Sequence, residues 1–422
     1  MQFNNLINNF FTKEVVFFSL LYGSLIASFF LGENSTGGAV LDYLNQKKIS
    51  TNFALNFKKT LLDYDQFTTR HSPILIIILS FFEKYNFSDF SIRIIHLHFC
   101  LLLPIFFYKC LEIKFNHIDK KILLLLSSLI FLSPTFRSLS IWPDSRLLGL
   151  TFFTLSIYFY LKFKNEKKFF FVTLNILSCS VSAYLSPNFA VFSIYFSLIF
   201  FSIFRMNLKK IIYIITLNLL LSLPAFYYIF ILEINFLNKS AAIGYEQDKN
   251  ILFVNIFNNI LTSFSIIFFY IFPFLFLKII KIINFINFKN IFISLMIVII
   301  CAINFNYNYQ FSGGGIFFKL SNFLFENNLL FFFICFISIL TILPLLYRKK
   351  INFLIFFLII INNPQYTIYH KYFDPFLLIT FFTIFDFKFD INKIKVFKKF
   401  IFIFFYFIFF LIISNIKFLW KI

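Results

Sequence analysis

Six carboxylates, Glu33, Asp42, Asp63, Asp65, Glu83 and Asp89, share one stretch, 32–90, with Lys47, Lys48, Lys58, Lys59, Arg70 and His71. A carboxylate held in place can take a proton from a hydroxyl. Fixed cations hold an anion, Arg in a bidentate fork and Lys as a point charge. A second polar piece, "TFRSLSIWPDSR" at 135–146, brings Asp144 together with Arg137, Trp142 and Arg146. A third, "NNPQYTIYHKYFD" at 362–374, carries His370, Lys371 and Tyr372. Other chemistries find less support. Cys100, Cys110, Cys179, Cys301 and Cys335 lie in or beside apolar segments, with no C-x-x-C and no His at metal spacing, so they read as small buried hydrophobes. The glycines of "FSGGGIFFKLSN" at 311–322 follow no strand and precede no Lys-Ser/Thr, which argues against a nucleotide loop and for a turn.

The segments that must position these residues are apolar. Of 422 residues 60% are hydrophobic, 23% aromatic and only 13% charged, about half the charged share of a soluble domain. Phe alone supplies 76 residues, which reads as lipid-facing filler. Apolar runs of 15 residues or more exclude strands, and only helices or closed barrels satisfy their backbone in lipid. The expected fold is therefore an all-α integral membrane protein with about 13 spans. They are placed at 14–31, 91–108, 122–136, 147–161, 169–185, 189–204, 211–232, 251–277, 291–303, 329–347, 351–361, 375–385 and 400–416. The first run has no small-residue cleavage site after it, so it reads as a span and not a signal peptide.

The net charge of +20 is the charge of loops and not of a nucleic-acid face. With the N-terminus in the cytoplasm, 23 of the 38 basic residues fall on that side: Lys13, and the rest in compact clusters at 109–121, 162–168, 205–210, 278–289, 348–350 and 388–399. Counting 73–83 as a span would invert every later loop, so "HSPILIIILSFF" is expected to re-enter the membrane or lie flat. Segments 39–48 and 53–64 place Val40, Leu41, Leu44, Phe53, Leu55, Phe57, Leu61 and Leu62 at helical spacing, which suits helices on the membrane surface. The long first extracytoplasmic loop thus carries surface-lying and re-entrant helices. A chain that merely spans has no reason to gather acid, base and aromatics at one water–lipid boundary.

The order of these features resembles the GT-C superfamily of polyprenyl-phosphate-sugar-dependent glycosyltransferases, in particular its protein O-mannosyltransferase and aminoarabinose transferase branch. The resemblance runs through residues 14–190, with an echo at 366–385. It rests on an acid after span one ("LGENSTGGAVLDY"), an H-x-P-L-like step ("TRHSPILIIILSFF"), S-x-x-S-I-R opening the next span, "FLSPTFRSLSIWPDSRLLGLTFF", and a basic-Tyr-x-x-Pro step ("HKYFDPFLLI"). It implies an inverting transfer of sugar from a polyprenyl-phosphate donor to a hydroxyl on the extracytoplasmic face. Glu33 stands where the family has its catalytic acid, usually Asp, and the change to Glu followed by Asn34 brings Asp42 into contention. Asp144 matches the second-loop aspartate. Arg70, His71, Arg137, Arg146, Lys371 and Tyr372 match positions near the donor phosphate.

One polytopic domain over 1–422 is expected, with a catalytic core at 14–232 and C-terminal helices at 233–422 on the acceptor or donor-lipid side. Partners would be the polyprenyl-phosphate-sugar, a glycolipid, glycan or protein acceptor, and membrane lipid, with no nucleic acid. No cofactor is required, although Glu33 and Asp144 could hold a divalent metal if they meet. The composition and short loops lean to a bacterial cytoplasmic (inner) membrane. The alternative reading is a transporter or flippase of lipid-linked saccharides, which predicts mid-membrane charges and an internal repeat; charges here gather on one face instead.

Overall fold

Several helices in this chain begin where a short polar side chain can accept an otherwise unpaired N–H. Ser88 accepts from Ser91, Ser133 from Phe136, Asp144 from Arg146, Asn207 from Lys210 and Asn287 from Asn290, each opening a helix. The computed structural model describes residues 13–67, 69, 71–232, 256–280, 287–308, 313–363, 367–391 and 397–419. Among the described residues the regular structure is helical, with one isolated bridge pair, Ile280 and Phe389. They fall into two compact units, Met1–Lys239 with Phe404–Ile422, and Ser240–Ile403.

The first unit opens with α1 (Lys13–Leu31), then a layer of two polar helices, α2 (Ala39–Leu55) and α3 (Phe57–Leu62), and the apolar α4 (Pro73–Lys84). Next come α5 (Asp89–Cys100) running into α6 (Leu102–Lys114), α7 (Lys120–Ser128), α8 (Pro134–Ile141), α9 (Ser145–Glu166), α10 (Phe170–Leu185), α11 (Phe192–Phe204) and α12 (Leu208–Phe226). The second unit holds α13 (Ile256–Phe276), α14 (Phe288–Ile303), α15 (Gly315–Phe325), α16 (Leu329–Tyr347), α17 (Lys350–Ile361) and α18 (Phe376–Thr383). The last helix, α19 (Phe397–Leu419), ends in the first unit.

Among the described residues, eight stretches are long and apolar enough to cross a membrane: Glu14–Leu31, Asp89–Lys114, Ser145–Glu166, Pro187–Phe204, Leu208–Ile231, Ile256–Phe276, Leu329–Tyr347 and Lys399–Ile416. The expected 122–136 span is a bent pair. Lys120–Leu132 and Pro134–Ile141 meet at 68°, because Ser133 stops one helix and Pro134 starts the next. Four more of the thirteen appear as the short helices α10, α14, α17 and α18, of 16, 16, 12 and 8 residues. At 1.5 Å per residue, α17 reaches about 18 Å of a hydrocarbon core about 30 Å thick. Residues 251–255 of another listed span lie outside the described residues. The segment read as non-spanning is α4, 12 residues opened by Pro73 and packed on α2.

Small residues set the tightest packing. A Cβ at Gly149 on α9 would stand 2.7 Å from the Ser186 Cβ and 3.3 Å from the Ser182 carbonyl oxygen. Ser182 Oγ donates to the Gly149 carbonyl at 2.7 Å, and Asn175 Nδ2 to that of Ser156 at 2.8 Å. Close backbone approach with polar bonds between helices is how apolar helices associate where burial from water supplies no drive. α1 and α19 run parallel, as Phe17 meets Phe404 at 5.0 Å near their starts and Asn415 reaches Glu33 near their ends.

In the second unit, Gly313, Gly314 and Gly315 all have positive φ and start α15. A Cβ at Gly313 would lie 2.6 Å from the Ile368 carbonyl oxygen, which also accepts from the Gly314 N–H at 2.8 Å. The glycine turn therefore docks on 367–374 and launches a helix where only a turn was expected.

Candidate active site

α2 buries Ala39, Tyr43, Gln46, Ile49, Ser50 and Phe53, a stripe at helical spacing, while Leu41 and Leu44 point outward. Ile49 and Phe53 form a core with Tyr64 and with Ile76 of α4, and Tyr228 and Leu232 pack against it. Tyr228 arrives there through an irregular end of α12. Pro224 removes a helix bond, and the Tyr184 hydroxyl donates to the Leu221 carbonyl at 2.5 Å while accepting from the Ala225 N–H at 3.2 Å. A π-turn, Tyr227–Ile231, follows.

This core positions Asp42 and His71. Asp42 sits in the first turn of α2, a favourable place for a negative charge. The backbone of His71 is pinned, its carbonyl accepting from Tyr64 Oη at 2.7 Å and its N–H donating to Thr69 Oγ1 at 3.2 Å. Next to it, Ser72 Oγ donates to the Tyr184 carbonyl. His71 Nε2 then stands 3.9 Å from Asp42 Oδ1, with the side chains 22% and 28% exposed. Burial raises the Tyr64 hydroxyl well above its ordinary pKa, so it stays a donor to His71.

Glu33 is placed differently. Its carboxylate takes Arg137 Nε at 2.8 and 3.1 Å and Asn415 Nδ2 at 3.3 Å, with Glu33 and Arg137 only 7% and 5% exposed. Arg137 Nη1 donates to Ser24 Oγ at 3.1 Å and the Phe131 carbonyl at 3.4 Å; Nη2 donates to the Ser24 carbonyl at 3.1 Å and to Ser28 Oγ. All three guanidinium nitrogens are thus committed inside the protein. The Glu33 carbonyl accepts from Trp142 Nε1 at 3.0 Å, and the Trp142 ring carries the Arg93 guanidinium at 3.6 Å, with Phe29 at 4.9 Å from the same cation.

A third cluster joins Asp89, Lys47 and Tyr43. Asp89 accepts from Lys47 Nζ at 2.5 Å and Tyr43 Oη at 2.9 Å, and Lys47 also faces Glu83 at 3.9 Å. Burial, then the bond to Asp89, raises the Tyr43 hydroxyl far above its usual range. Asp144 is buried and caps α9, accepting from the Arg146 backbone N–H at 2.7 Å. Arg70 lies outside the described residues. Lys371 and Tyr372 belong to the second unit, in a 3-10 turn, with Lys371 Nζ 5.5 Å from the Tyr369 ring centre and Tyr372 buried. His370 is enclosed by Phe269 and Tyr270, their ring centres 5.3 and 5.4 Å from its own, and burial lowers its imidazole to about 4.

The structure therefore brings together Glu33 with Arg137 and Asp42 with His71. Ser24, Ser28, Tyr64 and Asn415 escaped the sequence reading. Ser24 and Ser28 do mark one face of α1 at i, i+4 spacing, and Asn415 interrupts an apolar run. These features define an all-helical membrane protein with a polar helical layer between its first two long apolar helices. No protein-family model, curated protein or solved structure matches the chain.

Proposed function

We propose that the chain is a membrane glycosyltransferase that moves a sugar from a polyprenyl-phosphate donor to a hydroxyl acceptor at the extracytoplasmic face. The observation that carries this reading is the partly exposed Asp42–His71 pair, held by α2, α4 and Tyr64 on the layer between the first two long apolar helices. The order of motifs along 14–190 supports the same reading. Asp42 is the base in this proposal, and Glu33 is a positioning residue. An ionised carboxylate offers about four lone-pair sites, and contacts from Arg137 and Asn415 already occupy three of those of Glu33.

In the step proposed, Asp42 takes the acceptor's proton as the acceptor oxygen bonds to the sugar's anomeric carbon. The bond from that carbon to the phosphate oxygen breaks with inversion, and polyprenyl phosphate leaves with the electron pair. His71, when protonated, supplies a cation beside the reacting groups, and Arg70 and Arg146 are proposed for the phosphate. Asp144 orients the loop by capping α9, and Arg137 holds Glu33. Thirteen spans, an N-terminus in the cytoplasm and a bacterial inner membrane belong to the same proposal, the short helices completing the crossings. The test is reconstitution with a panel of polyprenyl-phosphate-linked monosaccharides, reading release of polyprenyl phosphate. Release from one of them that vanishes in Asp42→Asn supports the reading, and no release from any donor in the panel counts against it.

A further inference from the structure

We propose that the turns at 163–170 and 205–210 form a binding site for the phosphate of an anionic lipid headgroup, at the end of the first unit away from Asp42. The two turns meet through their rings. Phe204 lies 5.6 Å from Phe163 and 5.5 Å from Phe169, centre to centre. Lys210 Nζ stands over both Phe204 and Phe169, at 4.8 and 5.4 Å, Lys164 over Tyr160 at 5.7 Å and Lys167 over Phe163 at 6.0 Å. The only acid in these turns, Glu166, is already bridged by Lys162 at 3.1 Å and Lys168 at 3.0 Å. Among the described residues the ion pairs reach none of Lys164, Lys167, Arg205, Lys209 and Lys210. Three of these cations, Lys164, Lys167 and Lys210, stand over aromatic rings, and with Arg205 and Lys209 in the same turns they make an anion site.

The occupant is a lipid because apolar side chains stand among the cations. Met206 is 92% exposed, Leu208 68% and Phe170 64%, and they alternate with Arg205 and Lys209. In water such a turn leaves its apolar groups unburied. At the headgroup–acyl boundary the same turn buries Met206 and Leu208 while its cations meet phosphate, the two signals that stable interfacial binding needs. The site follows from these turns alone and does not depend on the transfer reaction.

The test uses the full chain in neutral detergent, titrated with phosphatidylglycerol or phosphatidylcholine, with bound lipid counted by mass spectrometry. Phosphatidylglycerol is expected to bind at least about tenfold more tightly, by attraction near about fivefold per cation. Arg205→Gln with Lys209→Gln, both on an exposed turn, removes most of that preference while the gel-filtration profile is unchanged. Met206→Ser with Leu208→Ser weakens both lipids. Equal binding of the two lipids, or a preference untouched by the Gln variant, overturns the proposal. So does soluble glycerophosphate that binds as tightly as the lipid, since that assigns the site to a free phosphoester.

Discussion

Removing Arg137 is the sharpest test of how the first loop is held. In Arg137→Met the Glu33 carboxylate loses its partner at 2.8 Å while its side chain remains 7% exposed, and Ser24 and Ser28 lose the guanidinium as donor. Breaking a buried pair from one side costs about 3–5 kcal/mol, against about 0–1 for an exposed pair. Near-complete burial means that solvent screening does not reduce the larger figure. Glu33→Gln leaves the arginine charge buried and carries a similar penalty, while the double variant Glu33→Gln/Arg137→Met buries no unpaired charge and is expected to recover part of it. Trp142, whose Nε1 donates to the Glu33 carbonyl, reports the event directly. In a Trp420→Phe background its fluorescence during titration with dodecyl sulfate gives the unfolding free energy of each variant. A loss below about 1 kcal/mol in Arg137→Met, or a double variant that costs the sum of the two, would refute the claim that the pair is buried and coupled.

Three further outcomes are expected. Gly149→Ala places a Cβ 2.7 Å from that of Ser186, so α9 and α10 must part, and the cost should be about 1–3 kcal/mol in the same titration. Tyr64→Phe removes the donor to the His71 carbonyl but little volume; transfer should fall severalfold with the fold intact by circular dichroism, and full activity would remove Tyr64 from the positioning of His71. His370 has its pKa lowered to about 4 by burial. Because the unfolded chain binds that proton more readily, its contribution is complete above about pH 6.5 and declines as pH falls from there towards 4. His370→Gln should flatten that part of the stability–pH curve, and an unchanged slope would contradict the assignment.

The helical membrane character of this chain was legible because the apolar runs are long and the basic clusters alternate. The number of long spans was not, since an apolar run does not say where it breaks: Ser133–Pro134 bends one listed span by 68°, and α17 stops after 12 residues. Nor did the glycines at 313–315 look like a helix start, because their role depends on the Ile368 carbonyl more than 50 residues away. Glu33 and Asp42 were both readable as acids after the first span. Which of them is spent on a cation was not, because Arg137 and Asn415 approach Glu33 across 104 and 382 residues. Nor does local spacing reveal that the Arg93 guanidinium stands over the Trp142 ring.

The most direct measurement compares sugar transfer by Asp42→Asn and Glu33→Gln, each normalised to the folded fraction from gel filtration. Loss of a positioned general base costs about 10²–10⁴-fold in rate. The account predicts that range for Asp42→Asn with normal folding, while Glu33→Gln lowers the folded fraction and leaves the rate per folded molecule within about tenfold, since its carboxylate touches no substrate. A Glu33→Gln enzyme that folds normally yet transfers nothing, beside an active Asp42→Asn, would contradict it.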